Sequence, residues 1–393
     1  MTNNAKCQPL TPIEARERYT TLDLLRGLAL FGVLLVNLLY FFRLSLFDRF
    51  LRFHSHAGWW NHAVDLFVAE LIEFKAINLF SLTFGVGVAI QAERATSRGA
   101  EAFLIRRFLT LLAFGMAHMV LISNVDILML YAICGLLMIP LLRLPIPALG
   151  IIGVAAIYLP PVLSRLSTFP SEPILRAHAA EATRIYGHAN FGTILEFRWL
   201  ETQTFIAPLL LMTAQRTFGL MLVGVALWRA GVVQNPHRYR RWLWAACLVG
   251  GVIGLFATTA EVWSQSTGTP VAPALVMFGS HVPLAFAYAA ALLIWSPSRG
   301  FWTPVAAMGR IALTNYLAQS ILFALLFYGY AFGLFGRLSP SSAAIIGVAV
   351  YAGQLWFSVW WLNRYRFGPF EWLWRSASYR RLQPMRLASP PRT

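Results

Sequence analysis

Residues Leu22–Phe42 read LDLLRGLALFGVLLVNLLYFF, an apolar run long enough to cross a bilayer as one helix. Hydrocarbon offers no partner to a loose N–H or C=O, so a chain built from such runs must satisfy its backbone within each segment, as a helix does. The run also carries charge. Asp23 and Arg26 lie in its first turn and share a helical face, and Asn37 lies near its far end. Gly27 follows Arg26 and lets a second backbone come close. An ion pair at the edge of hydrocarbon marks a functional site when it faces protein or water; it sets orientation alone when both charges snorkel to the headgroups. Both readings stand at this point.

The rest of the chain fits the first run. Of 393 residues, 58% are hydrophobic and 12% charged, where soluble domains carry roughly 25% charged residues. The fold class expected is all-α: a polytopic integral membrane helical bundle of about ten transmembrane helices, with nine to eleven allowed. The net charge of +16 is read as basic loops meeting anionic lipid headgroups. Nucleic acid is not expected as a partner, because the arginines are scattered between spans and form no single basic face. Cys7, Cys134 and Cys247 build neither a disulfide framework nor a metal motif. The first run lacks a small-residue cleavage site and is expected to be retained.

Apolar runs separated by charge or by Pro and Gly fall near 22–42, 72–91, 103–122, 125–142, 146–163, 204–228, 242–260, 271–295, 308–332 and 342–362. Residues 61–75 read as an amphipathic lead-in to the second. The organisation is a tail over 1–21, a transmembrane domain over 22–362 with outer loops 43–63 and 164–203, and a basic tail over 363–393. Twenty Arg and Lys residues fall on the side of the N-terminus and eight on the other. That bias places both termini in the cytoplasm of a multi-pass protein of the cell (inner) membrane.

Several polar residues interrupt the apolar pattern. The loop before the second span holds His54, His56, Trp59, Trp60, Asn61, His62 and Asp65. Histidine titrates near neutrality and serves as a general base, whereas a His/Trp loop also anchors at the headgroups. Metal ligands are present, but the spacing matches no tight signature, and no metal is expected. Gly85 and Gly87 have no strand before them, so they read as helix-packing residues and not as a phosphate loop. Asp126 opens the fourth span, where it can cap the helix or pair with His118 across the hairpin. Arg310, Asn315, Tyr316 and Gln319 are the polar set of the ninth span. They line a cavity or hydrogen-bond to a neighbouring helix. Glu371 and Arg375, at i and i+4, are expected to pair on a short interfacial helix.

Five stretches together, LDLLRGLALFGVLLVN (22–37), NLFSLTFGVGVAI (78–90), VDILMLYAICGLL (125–137), GRIALTNYLAQS (309–320) and FGPFEWLWRSASY (367–379), resemble the YeiB-like family, known as a domain of unknown function. That family is similar, more distantly, to transmembrane acyltransferases such as the heparan glucosaminide N-acetyltransferase. These begin with an Asp-x-x-Arg-Gly helix and carry a His-Ala-x-Trp segment with a downstream Asp. His56-Ala57-Gly58-Trp59 and Asp65 look like that segment.

The resemblance implies an acyl-CoA (acetyl-CoA) co-substrate reached from the cytoplasm and no tightly bound cofactor. It implies a small-molecule, glycan or lipid acceptor on the far face. His56 would then be the catalytic base and Asp65 would orient it. Asp23 and Arg26 would hold the donor, with Asn37, Asp126, Arg310, Asn315, Tyr316 and Gln319 as further donor- or substrate-binding residues. The alternative is a transporter or exporter in which the same polar residues line a substrate path. A homodimer is left open.

Overall fold

In the computed structural model, residues 19–51, 58–94, 100–159, 171–272, 281–295 and 299–387 are described. The first apolar run forms helix α1, Thr20–Asn37, and continues through a wider turn at Leu38–Phe42. Leu24, Leu25, Leu30, Leu34 and Leu38 are all buried, as expected of a helix apolar on every side. Along the chain follow α2 (Leu46–Leu51), α3 (Trp59–Leu71), α4 (Lys75–Arg94), α5 (Ala100–Leu121), α6 (Ile127–Met138) and α7 (Ile146–Tyr158). After them come α8 (Glu172–His188), α9 (Phe191–Glu201), α10 (Ala207–Arg229), α11 (Arg240–Thr267) and α12 (His281–Trp295). The described chain ends with α13 (Arg299–Arg310), α14 (Ala312–Phe327), α15 (Pro340–Leu362) and α16 (Pro369–Tyr379). Among the described residues there is no strand, only an isolated bridge between Tyr365 and Arg386.

Helix α1 is the hub, packing against α4, α13, α14 and α15. Its crossing with α13 is close because each helix offers a glycine. A Cβ on Gly27 would strike the backbone of Val305, and one on Gly309 would strike the backbone of Asp23. Tyr351 on α15 donates its hydroxyl to the Gly27 carbonyl at 2.9 Å. In α4, a Cβ on Gly85 would strike the Met221 backbone of α10, whereas Gly87 clears space for the Arg26 guanidinium. The glycines of the second span are therefore packing residues.

Five described helical stretches are long and apolar enough to cross a membrane: Thr20–Phe42, Trp59–Arg94, Ala100–Leu121, Arg240–Thr267 and Pro340–Leu362. A sixth crossing results if Gly300–Arg310 and Ala312–Phe327, bent by 75°, count as one. The membrane class is met; a count of about ten is not established. Part of the shortfall is length. Helices α6, α7 and α12 have 12, 13 and 15 residues, which at 1.5 Å per residue is about 18–23 Å, short of a ~30 Å core. The outward faces are apolar nonetheless: Trp242, Val252 and Phe256 of α11 and Ile345 and Trp356 of α15 are among the most exposed large side chains.

Two breaks interrupt the long helical stretches. Between α3 and α4 the amphipathic lead-in parts from the expected second span, where Phe74 takes a left-handed φ of 58°. The expected ninth span bends at Ile311, between α13 and α14.

Candidate functional site

The charged turn of α1 forms the pair its spacing predicts. Arg26 Nη1 lies 3.4 Å from Asp23 Oδ1, and Nη2 donates to the Thr83 carbonyl of α4 at 3.1 Å. Both residues are half-buried. The guanidinium thus ties two helices together at one end of the bundle. Near it, Arg107 lies over the Trp374 ring, 3.5 Å from the centroid, and Trp374 Nε1 donates to the Arg107 carbonyl at 2.7 Å.

The bend before α14 is held by Glu371 of α16. Its carboxyl oxygens accept from the Leu313 N–H at 2.7 Å, the Thr314 N–H at 3.1 Å and the Thr314 hydroxyl at 2.5 Å. These are orphan donors of a helix start that lies inside the protein. Burial pushes the Glu371 carboxyl above the usual carboxylate range in spite of those donors. The expected role of Glu371 as an i, i+4 ion-pair partner is therefore corrected: its oxygens serve a helix start more than fifty residues away, and the Arg375 guanidinium lies over the Phe367 ring at 4.7 Å.

The polar set of the ninth span divides. Asn315 Nδ2 donates to Ser358 Oγ at 2.9 Å, and Gln319 Nε2 donates to Gln354 Oε1 at 2.7 Å. Gln354 in turn donates to the Asn315 carbonyl at 3.0 Å. These residues fasten α14 to α15 and do not line the cavity described below. Arg310 donates to the Arg366 carbonyl at 3.2 Å. Tyr316 turns the other way, its ring 5.2 Å from that of His118.

At the opposite end of α1 lies a cavity of about 570 Å³. Val33, Asn37 and Tyr40 reach it from α1 and its final turn, Asn78 from α4, Asp126 from the start of α6, Arg216 from α10 and Glu261 from α11. Asp126 does two things. Oδ2 accepts from the Met129 N–H at 2.6 Å, capping α6, and Oδ1 lies 2.8 Å from His118 Nδ1. Both side chains are fully buried. The tautomer with its proton on Nδ1, facing the carboxyl, leaves a lone pair on Nε2, the arrangement of an oriented imidazole base. Among the described residues His118 Nε2 has no hydrogen-bond partner, and the approach of Nδ1 to Asp126 Oδ1 is a close polar contact outside hydrogen-bond angles. The turn before α6 is anchored from the far side: Asn124 donates to Glu201, which also accepts from the Tyr186 hydroxyl at 2.6 Å and lies 2.7 Å from His178 Nε2. Burial first, and the Glu201 charge next, push the Tyr186 phenol well above its ordinary range.

On the α10 and α11 side, Arg216 lies over the Phe74 ring at 5.3 Å, Phe74 meets the His281 ring at 4.8 Å, and His281 Nε2 is 3.2 Å from Glu261 Oε2. The left-handed backbone of Phe74 costs about 1–3 kcal/mol, strain of a kind that gathers at ligand sites. Glu73, Arg216, Glu261 and His281 are absent from the sequence-based set. A lone arginine in the apolar stretch LLLMTAQRTFGLML was the available signal.

His56 lies outside the described residues. Asp65 is buried on α3, and its charge acts on Arg43. Arg43 donates to the Leu338 carbonyl at 3.2 Å. Among the described residues, no group of three His, Cys, Asp or Glu side chains forms a metal site.

The helical bundle is that of a polytopic membrane protein, and its first part is similar to acyltransferases: residues 18–184 match a family model described as "Heparan-alpha-glucosaminide N-acetyltransferase, catalytic". Residues 227–381 match a model described as "Protein of unknown function (DUF418)". The uncharacterized protein YxaH of Bacillus subtilis (strain 168) is 31% identical over 96% of this chain and 98% of its own length. The uncharacterized protein YeiB of Escherichia coli (strain K12) is 28% identical over 94% of this chain and 98% of its own. No solved structure matches. The chain belongs to the YeiB-like DUF418 family.

Proposed function

We propose that the protein transfers an acyl (acetyl) group from cytoplasmic acyl-CoA to an acceptor on the extracytoplasmic side of the inner membrane. The supporting observation is the position of the acetyltransferase-model match. It spans 18–184 and so takes in both the Asp23–Arg26 pair at one end of α1 and the His118–Asp126 pair at the other. The excess of basic residues on the side of the termini favours that side as cytoplasmic.

In the reaction an acceptor oxygen or nitrogen attacks the thioester carbonyl. The new C–O or C–N bond forms, the C–S bond breaks, and the acceptor's proton passes to a base while CoA leaves as the thiolate and is then protonated. Arg26 at the cytoplasmic end suits a donor phosphate. Two bases are available for the proton. His56 with Asp65 is the pair favoured by resemblance, and His118 with Asp126 is the pair favoured by geometry.

The test is purified protein incubated with labelled acetyl-CoA and mixed acceptors. Transfer should fall by about a hundredfold or more in the variant lacking the base. Undiminished transfer in His56→Ala removes His56 from the mechanism, and the same result in His118→Ala removes His118. Absence of any transfer, with label-free substrate movement across vesicles, would favour the transporter reading.

A further inference from the structure

Arg216 is the cation of the cavity wall, and among the described residues it meets Glu261 through charge and the Phe74 ring through its face, with no hydrogen bond to an acceptor. It sits on α10, half-buried. Three acids stand in the same wall, Glu73, Asp126 and Glu261; Asp126 is engaged with His118 and the Met129 N–H, and Glu261 with His281 and the Gln265 amide. A guanidinium on an apolar helix of a membrane protein is costly to hold without hydrogen-bond acceptors, and Glu261 reaches it through charge alone. A second donor stands in the same wall. Asn78 is buried, and among the described residues its Nδ2 has no acceptor. Val33, Val36, Val125 and Leu130 make most of the remaining lining apolar.

We propose that this cavity binds an anionic amphiphile. The ligand's phosphate or equivalent oxyanion lies on the Arg216 guanidinium within reach of the Asn78 amide, and its apolar part lies against α1 and α6. The fork of an arginine matches such an oxyanion in two parallel hydrogen bonds, and an oxyanion supplies the acceptors that both side chains lack. Glu73 and Glu261 in the same wall oppose the anion, Glu261 because its charge acts on Arg216; the contact of Glu261 with His281 moderates its share of that opposition. As the anchor of an acyl acceptor the site rests on the acyltransferase reading. As a binding site it does not.

The experiment measures binding without a donor. Full-length protein in detergent is titrated with dihexanoyl phosphatidate, with inorganic phosphate and with neutral dihexanoylglycerol, and thermal unfolding is followed by tryptophan fluorescence. Phosphatidate should raise the unfolding midpoint saturably, and R216Q should weaken its binding about tenfold or more. R216K should fall between, keeping the charge but losing the fork. If inorganic phosphate saturates the protein as well as phosphatidate does, the anion site stands and its natural ligand is soluble. Equal binding by R216Q and wild type, or equal stabilisation by the neutral lipid, overturns the proposal. E261Q covers the case in which R216Q fails to fold. Removing the opposing charge should tighten phosphatidate binding, and an unchanged or weakened affinity refutes the assignment. Loss of acyl transfer in His56→Ala or His118→Ala would leave these binding results untouched, so the two readings fail separately.

Discussion

Asp126 carries two obligations, and substitution can separate them. Its Oδ2 caps α6 at the Met129 N–H, and its Oδ1 holds His118 Nδ1. Asp126→Ala removes both. Loss of the cap costs about 1 kcal/mol. His118 is then left fully buried with an unpartnered donor, which costs about 1–3 kcal/mol more. The total is about 2–4 kcal/mol, a large fraction of any protein's margin of stability. Asp126→Asn should behave differently. The amide oxygen still accepts from Met129, and the amide nitrogen donates to His118 Nδ1 once the imidazole proton moves to Nε2. Its stability should lie within about 1 kcal/mol of wild type. The tautomer is reversed, however, and the Nε2 lone pair is lost. If His118 takes the acceptor's proton, D126N keeps its fold and loses transfer. Unfolding in detergent by denaturant, read by tryptophan fluorescence, measures the first quantity, and labelled acetyl transfer measures the second. A D126A protein within about 0.5 kcal/mol of wild type, the scatter of an unimportant surface change, would refute the double role.

Three further substitutions test other parts of the bundle. Gly309→Ala places a methyl group against the Asp23 and Gly27 backbones and should destabilise by about 1–3 kcal/mol or more; Gly300→Ala, in the same helix with open space around it, should be neutral or slightly stabilising, and equal effects in a thermal scan would disprove the close crossing. Glu371→Gln should fold well because the amide mimics the protonated carboxyl that burial favours, whereas Glu371→Ala should lose about 1–3 kcal/mol by orphaning the start of α14. A carboxyl with a raised native pKa stabilises the fold below the usual carboxylate range and loses that contribution as pH climbs through its native value, so the wild type should weaken across that window relative to E371Q in pH-dependent unfolding. Arg26→Lys should keep the fold and lose transfer, because one ammonium cannot hold Asp23 and the Thr83 carbonyl together as the guanidinium does; retained activity would reduce the pair to an orientation signal.

The elements written locally were readable from the sequence. The apolar run of α1, its charged first turn, the close approach at Gly27 and the cap at Asp126 each depend on residues within a few positions of one another. His118 and Asp126 were readable as partners because a tight hairpin brings neighbours in sequence together. The bend at Ile311 was not, since hydropathy averages over the window and the group that satisfies the new helix start, Glu371, is contributed from another part of the chain. The same reason hid the Arg216 side of the cavity. Phe74, Arg216, Glu261 and His281 come from four separate segments, and nothing local distinguishes an arginine facing a cavity from one that snorkels. Asn315 and Gln319 show the converse: their spacing marks one polar face, and only the packing of α15 makes that face a seam instead of a cavity wall.

The broken spans and the buried carboxylates belong to one physical problem. A helix that starts inside a membrane bundle exposes N–H groups where no water can reach them, and each unsatisfied group would cost several kcal/mol. Helix α14 starts that way after the 75° bend, and α6 starts that way after its hairpin. In both places one acidic side chain closes the gap, Glu371 from a distant helix and Asp126 from the capping position itself. Only Asp126 has a second oxygen turned to a histidine and a place in the cavity wall. The two carboxyls should therefore part under amide substitution: E371Q should leave both stability and transfer intact, and D126N should leave stability alone. If the two variants lost transfer equally, the caps would matter only as structure, and the His118–Asp126 pair would have no claim to the chemistry.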